Sequence, residues 1–196
     1  MSDKKIILAS ASPRRRELMK ELGIDFIVVK SRVKEVSGVG KPADIVKYNA
    51  LKKAVFVSGL KTVRKKYKDA VIIGADTIVV IETKGSRRII GKPKNRPDAR
   101  RILGMLSGTT HSVYTGLAVK DLSSGRVITG YEKSRVTMRK LGRREMEKAV
   151  KRHMDKAGAY GIQEKGDRFV RMVKGPVDNV VGLPCKKLSA MLKKIN

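Results

Sequence analysis

The chain has 196 residues, 46 of them Lys or Arg against 18 Asp or Glu, which gives a formal net charge of +28. A hydrophobic fraction of 41% with ordinary Gly and Pro content excludes a disordered chain and allows one large domain, or two lobes sharing a core. No apolar stretch approaches the ~20 residues needed to span a bilayer. Residues 1–9 lack the apolar region of a signal peptide, and Cys185 is the only cysteine, so an intrachain disulfide is excluded and nothing resembles a zinc site. A cytoplasmic protein is expected.

In chain order, Lys5–Ser10 predicts a first strand and Pro13–Leu22 a first helix stopped by Gly23. Asp25–Lys30 predicts a second strand, followed by a polar loop with Glu35, Gly38 and Gly40. Pro42 then opens a helix to about Ser58, with Ile45, Val46, Ala50, Ala54, Val55 and Val57 on roughly one side. Lys61–Asp69 reads as a charged connection. Val71–Ile81 is the strongest strand, apolar or Gly everywhere except at Asp76 and Thr77. Lys84-Gly85 predicts a turn into a short strand at Arg88–Ile90, and Pro97–Leu106 a helix stopped by Gly108. His111–Leu122 and Arg126–Met138 read as strands of a hairpin joined at Ser123-Ser124-Gly125. Arg143–Arg152 predicts a helix, Gly161–Val173 a strand-rich stretch with a turn at Lys165-Gly166, and Leu188–Lys194 a closing helix. Alternating strands and helices with hairpins predict an α/β fold built on a mixed sheet, not a purely parallel one.

The excess positive charge raises nucleic acid as a partner. Against it, aromatics are only 4% with no Trp, which is poor material for stacking on bases, and the cations are spread along the whole chain. No helix-turn-helix pattern or zinc spacing accompanies them.

Two segments carry chemistry. In Leu8–Leu18 (LASASPRRREL), a strand runs through Ser10 into Ser12 as N-cap and Pro13 at the first helical position. Arg14, Arg15 and Arg16 then sit at the positive end of the helix dipole, the unfavourable end for cations. Open backbone N–H groups, a hydroxyl and guanidiniums together make an anion site suited to phosphate; the alternative is a solvated basic turn. In Gly74–Val79 (GADTIV), Asp76 interrupts a strand that otherwise reads as buried. A carboxylate there needs a cation, a metal or access to a cleft, unless it only caps a turn. Gly74 would let a ligand or a second backbone approach closely. More dispersed are Lys52 and Lys53 on the second helix, Lys92 in the Gly91-Lys92-Pro93 turn, and Gln163, the only glutamine, at the end of KAGAYGIQ (156–163). Solvation alone would account for any one of these lysines.

Taken together, LASASPRRREL (8–18), NALKKA (49–54), GADTIVV (74–80), GKP (91–93), LSGTTHSVYTG (106–116), KAGAYGIQ (156–163) and VVGLP (180–184) resemble the Maf proteins, nucleotide pyrophosphatases of the inosine-triphosphatase-like superfamily. The blocks run in the family's order over nearly the whole chain, as a single Maf-like domain over 1–196. The resemblance implies an elongated mixed sheet flanked by helices, two lobes around a deep cleft, and commonly a homodimer. It implies hydrolysis of a nucleoside triphosphate to the monophosphate and pyrophosphate, with Mg²⁺ or Mn²⁺.

By position, the resemblance makes Ser10, Arg14 and Arg15 phosphate-binding residues. It sets Lys53 and Lys92 near the triphosphate, Asp76 as the catalytic carboxylate and Gln163 near the nucleotide. Glu35 matches the second of two acidic residues in the loop after the second strand; Lys34 stands where the first is usual. Pro176 replaces a small polar residue ahead of VVGLP. Thr77 and the KAGAYGIQ block resemble the group that prefers dTTP, UTP and modified uridine triphosphates. The alternative within the family is a 7-methyl-GTP enzyme. The family has also been linked to inhibition of septum formation.

The residues suit that chemistry in their own right. Four cations would neutralise a triphosphate, and Asp76 with Glu35 would hold a hard divalent ion and orient the attacking water. The competing reading is a non-catalytic basic protein that binds nucleic acid or a division partner. Such a binder would have no use for a carboxylate inside a central strand, and its affinity would fall steeply with salt.

Overall fold

The computed structural model describes residues 4–36, 40–83, 85–162 and 168–195. Its elements are β1 (Lys5–Leu8), α1 (Pro13–Glu21), β2 (Phe26–Val28), α2 (Pro42–Gly59), α3 (Lys61–Lys66), β3 (Ala70–Thr83) and β4 (Ser86–Ile90). They continue as α4 (Arg96–Leu106), β5 (Thr110–Asp121), β6 (Val127–Met138), α5 (Arg143–Arg152), a 3₁₀ turn (Ala157–Ala159), β7 (Val170–Lys174), α6 (Val177–Val181) and α7 (Cys185–Ile195). Among the described residues the sheet has seven strands in the order β2-β1-β3-β5-β6-β7, with β4 paired to β3. β1 runs parallel to both β2 and β3, while β4 is antiparallel to β3 and β7 to β6. This is the mixed α/β sheet predicted from the hairpins.

Local departures have local causes. Lys61–Lys66 is helical, not an irregular connection: Val63 is buried, and Arg64, Lys65 and Lys66 occupy the last turn, where the dipole favours cations. Val55 of α2 is exposed, while Asn49, Lys53 and Ser58 share the buried face with Ile45, Val46, Ala50, Ala54 and Val57. Ser12 has the extended backbone of an N-cap, but its side chain accepts no cap bond. Its N–H instead donates to Ser10 Oγ at 3.2 Å. In the stretch expected to be strand-rich, β7 begins only at Val170, and α6 follows without a sequence signal strong enough to predict it. The turn expected at Lys165-Gly166 lies outside the described residues.

The chain divides into two compact units. The first comprises residues 1–76, 115–132 and 182–196, the second residues 77–114 and 133–181. In the first, Ile7, Ala9, Ala50, Ala54, Val57, Val63, Ala70, Ile72 and Ala118 form the core. In the second, α4 and α5 close over Val113, Val136 and Met138 with Leu103, Leu106, Val150 and Phe169. Among the described residues no helix is long and apolar enough to cross a membrane.

Two glycines set how close α2 lies to the sheet. A Cβ on Gly74 of β3 would stand 2.1 Å from the Ala50 carbonyl oxygen, and one on Gly116 of β5 would stand 2.2 Å from that of Val46. Val46 and Ala50 are one helical turn apart, so both acceptors lie on one face of α2. The close approach foreseen at Gly74 is thus that of a second backbone, and it determines where α2 delivers its polar side chains.

Candidate functional site

Asp76 lies within β3 and is 3% exposed. An isolated charge at such a place would be costly, and α2 compensates it. Lys53 Nζ donates to Asp76 Oδ1 at 2.7 Å, and Asn49 Nδ2 donates to Asp76 Oδ2 at 2.9 Å. Asn49 and Lys53 are four residues apart on the buried face of α2, so both reach the same carboxylate. Lys53 Nζ also lies 2.6 Å from Glu35 Oε1 and donates to the Ala75 carbonyl at 3.1 Å. Three N–H donors thus meet three acceptors, and the buried ammonium is fully satisfied. Asp76, Lys53 and Glu35, picked out separately in the sequence, come together here.

Asn49 is the residue that sequence reasoning missed. It is 1% exposed, and besides Asp76 its Nδ2 donates to the Val36 carbonyl at 2.9 Å while its Oδ1 accepts from the Val36 N–H at 2.8 Å. The available signal was a polar residue one turn before Lys53 on an otherwise apolar helix face. Lys52 contributes on the exposed side by donating to the Lys34 carbonyl at 3.1 Å, with its Nζ 5.6 Å from the Tyr48 ring centroid.

Ser10, buried two residues past β1, accepts from Ser12 N–H and from Arg15 Nη1, the latter at 3.2 Å. Arg15 Nη1 also donates to the Ala75 carbonyl at 3.0 Å, and its Nε donates to the Gly182 carbonyl at 2.8 Å. Ala75 is therefore an acceptor shared by Lys53 and Arg15, which joins the start of α1 to the carboxylate cluster. Burial pushes the Arg15 pKa below the usual arginine value; Asp76 and Glu35 act in the opposite direction, and neighbouring Arg14 lowers it further. Arg14 is partly exposed, one residue nearer the helix N-terminus.

Thr77, Lys92 and the 156–162 loop belong to the second unit. Thr77 is partly exposed on β3, and Lys92 is exposed beside a buried Pro93. The Gly91 carbonyl accepts from Gly158 N–H at 3.2 Å, so the lysine turn and the small-residue loop are tied together. Gly158 has φ +79°, and a Cβ there would stand 2.9 Å from the Tyr160 ring, which leaves only glycine comfortable. Tyr160 OH pairs with His111 Nε2 at 2.7 Å. Burial raises the Tyr160 pKa and lowers that of His111 to about 4. Gln163 lies outside the described residues.

Among the described residues no group of three or more His, Cys, Asp or Glu is placed to hold a metal ion. The first unit instead offers two carboxylates, Asp76 and Glu35, bridged by Lys53. An all-protein cage for Ca²⁺ or Zn²⁺ needs more. Two hard carboxylates match Mg²⁺, which keeps waters and takes substrate phosphates as further ligands.

Residues 5–195 match the family described as Maf-like protein. The chain is 44% identical to the dTTP/UTP pyrophosphatase of Dictyoglomus thermophilum, over 98% of this chain and 96% of that protein. It is also 44% identical to the dTTP/UTP pyrophosphatase of Bacillus cereus strain ATCC 10987, over 98% and 91% respectively. The protein of that name from Bacillus anthracis is 43% identical over 98% and 96%.

Proposed function

Because this chain belongs to the Maf-like protein family, we propose that it hydrolyses dTTP, UTP and modified pyrimidine nucleoside triphosphates to the monophosphate and pyrophosphate. The observation that carries the reading is a carboxylate inside a central strand, held between an ammonium and a carboxamide and linked through Ala75 to an arginine-bearing helix start. The names borne by relatives at 43–44% identity support the substrate class.

Water attacks the α-phosphorus, the bond from that phosphorus to the α–β bridging oxygen breaks, and pyrophosphate leaves with that oxygen. The barrier is largely electrostatic, since the phosphorus is surrounded by negative charge. Arg14 and the N-terminus of α1 meet the phosphates, with Ser10 and Arg15 shaping that turn through Ala75 and Gly182. Lys53 adds a buried positive charge. Its most exposed partner is Glu35, the one that exchanges most readily for a phosphate oxygen. Lys92 lies in the turn fastened to Gly158, and its assignment to the triphosphate rests on the resemblance of the GKP block. Asp76 orients the attacking water and accepts its proton. Asp76 and Glu35 would hold a divalent ion, which when bound neutralises phosphate charge and polarises the phosphoryl oxygens.

The deciding experiment is pyrophosphate release from a panel of canonical and modified triphosphates with Mg²⁺ or Mn²⁺, for wild type and Asp76→Asn. Release from dTTP or UTP that falls at least ~100-fold in the variant is expected, with nucleotide affinity retained. Equal losses of rate and affinity would remove the catalytic role from Asp76. Release mainly from 7-methyl-GTP would replace the substrate assignment.

A further inference from the structure

Resting on the reading above, we propose that Asn49 is a positioning residue: one buried carboxamide fixes both the Asp76 carboxylate and the segment that carries Glu35. Its Nδ2 hydrogens go to Asp76 Oδ2 and the Val36 carbonyl, each at 2.9 Å, and its Oδ1 takes the Val36 N–H at 2.8 Å. The exchange of two bonds with Val36 imitates a one-residue strand pairing, made by a side chain. Glu35 is the next residue along, and its Oε1 stands 2.6 Å from Lys53 Nζ, the same ammonium that lies 2.7 Å from Asp76 Oδ1. Asn49 and Lys53 therefore close a ring around both carboxylates from successive turns of α2.

The network also specifies the residue type. Turning the amide over would set Oδ1 against two acceptors, so the observed orientation is the only one that pairs every group. Asp has the same shape but no donor to offer the Val36 carbonyl and Asp76 Oδ2. Ala leaves three buried or half-buried partners unmet, and Gln places the same amide one methylene too far. The segment is also held by the Lys53–Glu35 pair at 2.6 Å, by a bond from Lys52 to the Lys34 carbonyl, and by a local Val33 N–H to Ser31 Oγ bond at 3.4 Å. Of all these anchors only Asn49 grips the Val36 backbone through both its N–H and its carbonyl.

The test compares wild type, Asn49→Ala and Asn49→Asp by three readouts. These are hydrogen exchange at the Val36 amide, kcat for pyrophosphate release from UTP, and affinity for the non-hydrolysable α,β-methylene-UTP. In Asn49→Ala the Val36 amide should exchange at least ~10-fold faster. Its kcat should fall at least ~10-fold while analogue affinity stays within about 3-fold, since misplacing a reacting group costs rate more than binding. Asn49→Asp should lose more kcat than Asn49→Ala despite its shape. Faster exchange with unchanged kcat would make Asn49 architectural and overturn the proposal. So would equal losses of kcat and analogue affinity, or an Asp variant as active as wild type. A wild-type protein that turns over no triphosphate would overturn the functional reading and this proposal together, whereas wild-type turnover with an unaffected Asn49→Ala would overturn this one alone.

Discussion

Replacing Gly74 by alanine tests how the sheet positions α2. The added Cβ would stand 2.1 Å from the Ala50 carbonyl oxygen and 3.0 Å from both the Ala50 carbonyl carbon and the Ala54 nitrogen. Ordinary contact begins near 3.4 Å, so α2 must withdraw by roughly 1.3 Å. The obstacle is helix backbone, which has no rotamer to change, so the cost belongs at the upper end for overpacking, about 3 kcal/mol. The same displacement moves Asn49 and Lys53, on the adjoining turns, away from Asp76. Displacements near 1 Å at a reacting group can cost ~100-fold, so a kcat loss of ~10–100-fold is expected alongside the stability loss. Urea unfolding midpoints and kcat for pyrophosphate release would measure both. Gly59→Ala, in the last turn of the same helix with nothing within 4 Å of its Cβ, is the control and should be neutral or slightly stabilising. A Gly74→Ala protein with the wild-type midpoint and kcat would refute the claim that close backbone approach sets the site.

His111 gives a stability signature on acidification. Burial pushes its pKa down to about 4 in the folded protein, against about 6.5 for a solvated imidazole, so the unfolded chain takes up the proton first as pH falls. Stability attributable to the neutral ring is therefore complete above pH 6.5 and lost between there and about pH 4, at most about 3 kcal/mol. His111→Gln should flatten that part of the stability profile, and an unchanged slope would show that His111 does not cause it. Lys92→Ala should raise KM for UTP about 5–10-fold with little change in kcat, because an exposed lysine contributes to binding ground and transition states alike. A kcat loss exceeding the KM change would instead place Lys92 on the transition state.

Much of this protein was legible in its sequence because the relevant signals are local. Pro13 and Pro42 mark helix starts, Gly23 and Gly108 take left-handed φ values of +66° and +71°, and the apolar run through β3 makes a carboxylate at Asp76 conspicuous. The boundaries of α5 follow from its charged and apolar pattern alone. The order of the motif blocks sufficed to indicate the family. Ser12 shows the limit of local rules: the cap position was right, yet the hydroxyl engaged at the helix start is that of Ser10, two residues earlier, which accepts the Ser12 N–H.

What tertiary structure alone decided is which groups share a charge. Lysines are abundant in this chain, and residue type alone does not separate Lys53, which is 8% exposed, from its neighbour Lys52. The distinction comes from the face of α2 that meets the sheet, and that face is set by Gly74 and Gly116 in two different strands. The same contact turns Asn49 inward to hold Asp76 and Val36, and from α1 Arg15 braces Ala75 against Gly182. Residue types and local conformation follow from short-range sterics and patterning, which a linear sequence carries. The pairing of a buried carboxylate with its lysine and its amide depends on segments far apart in the chain, and only packing brings those together.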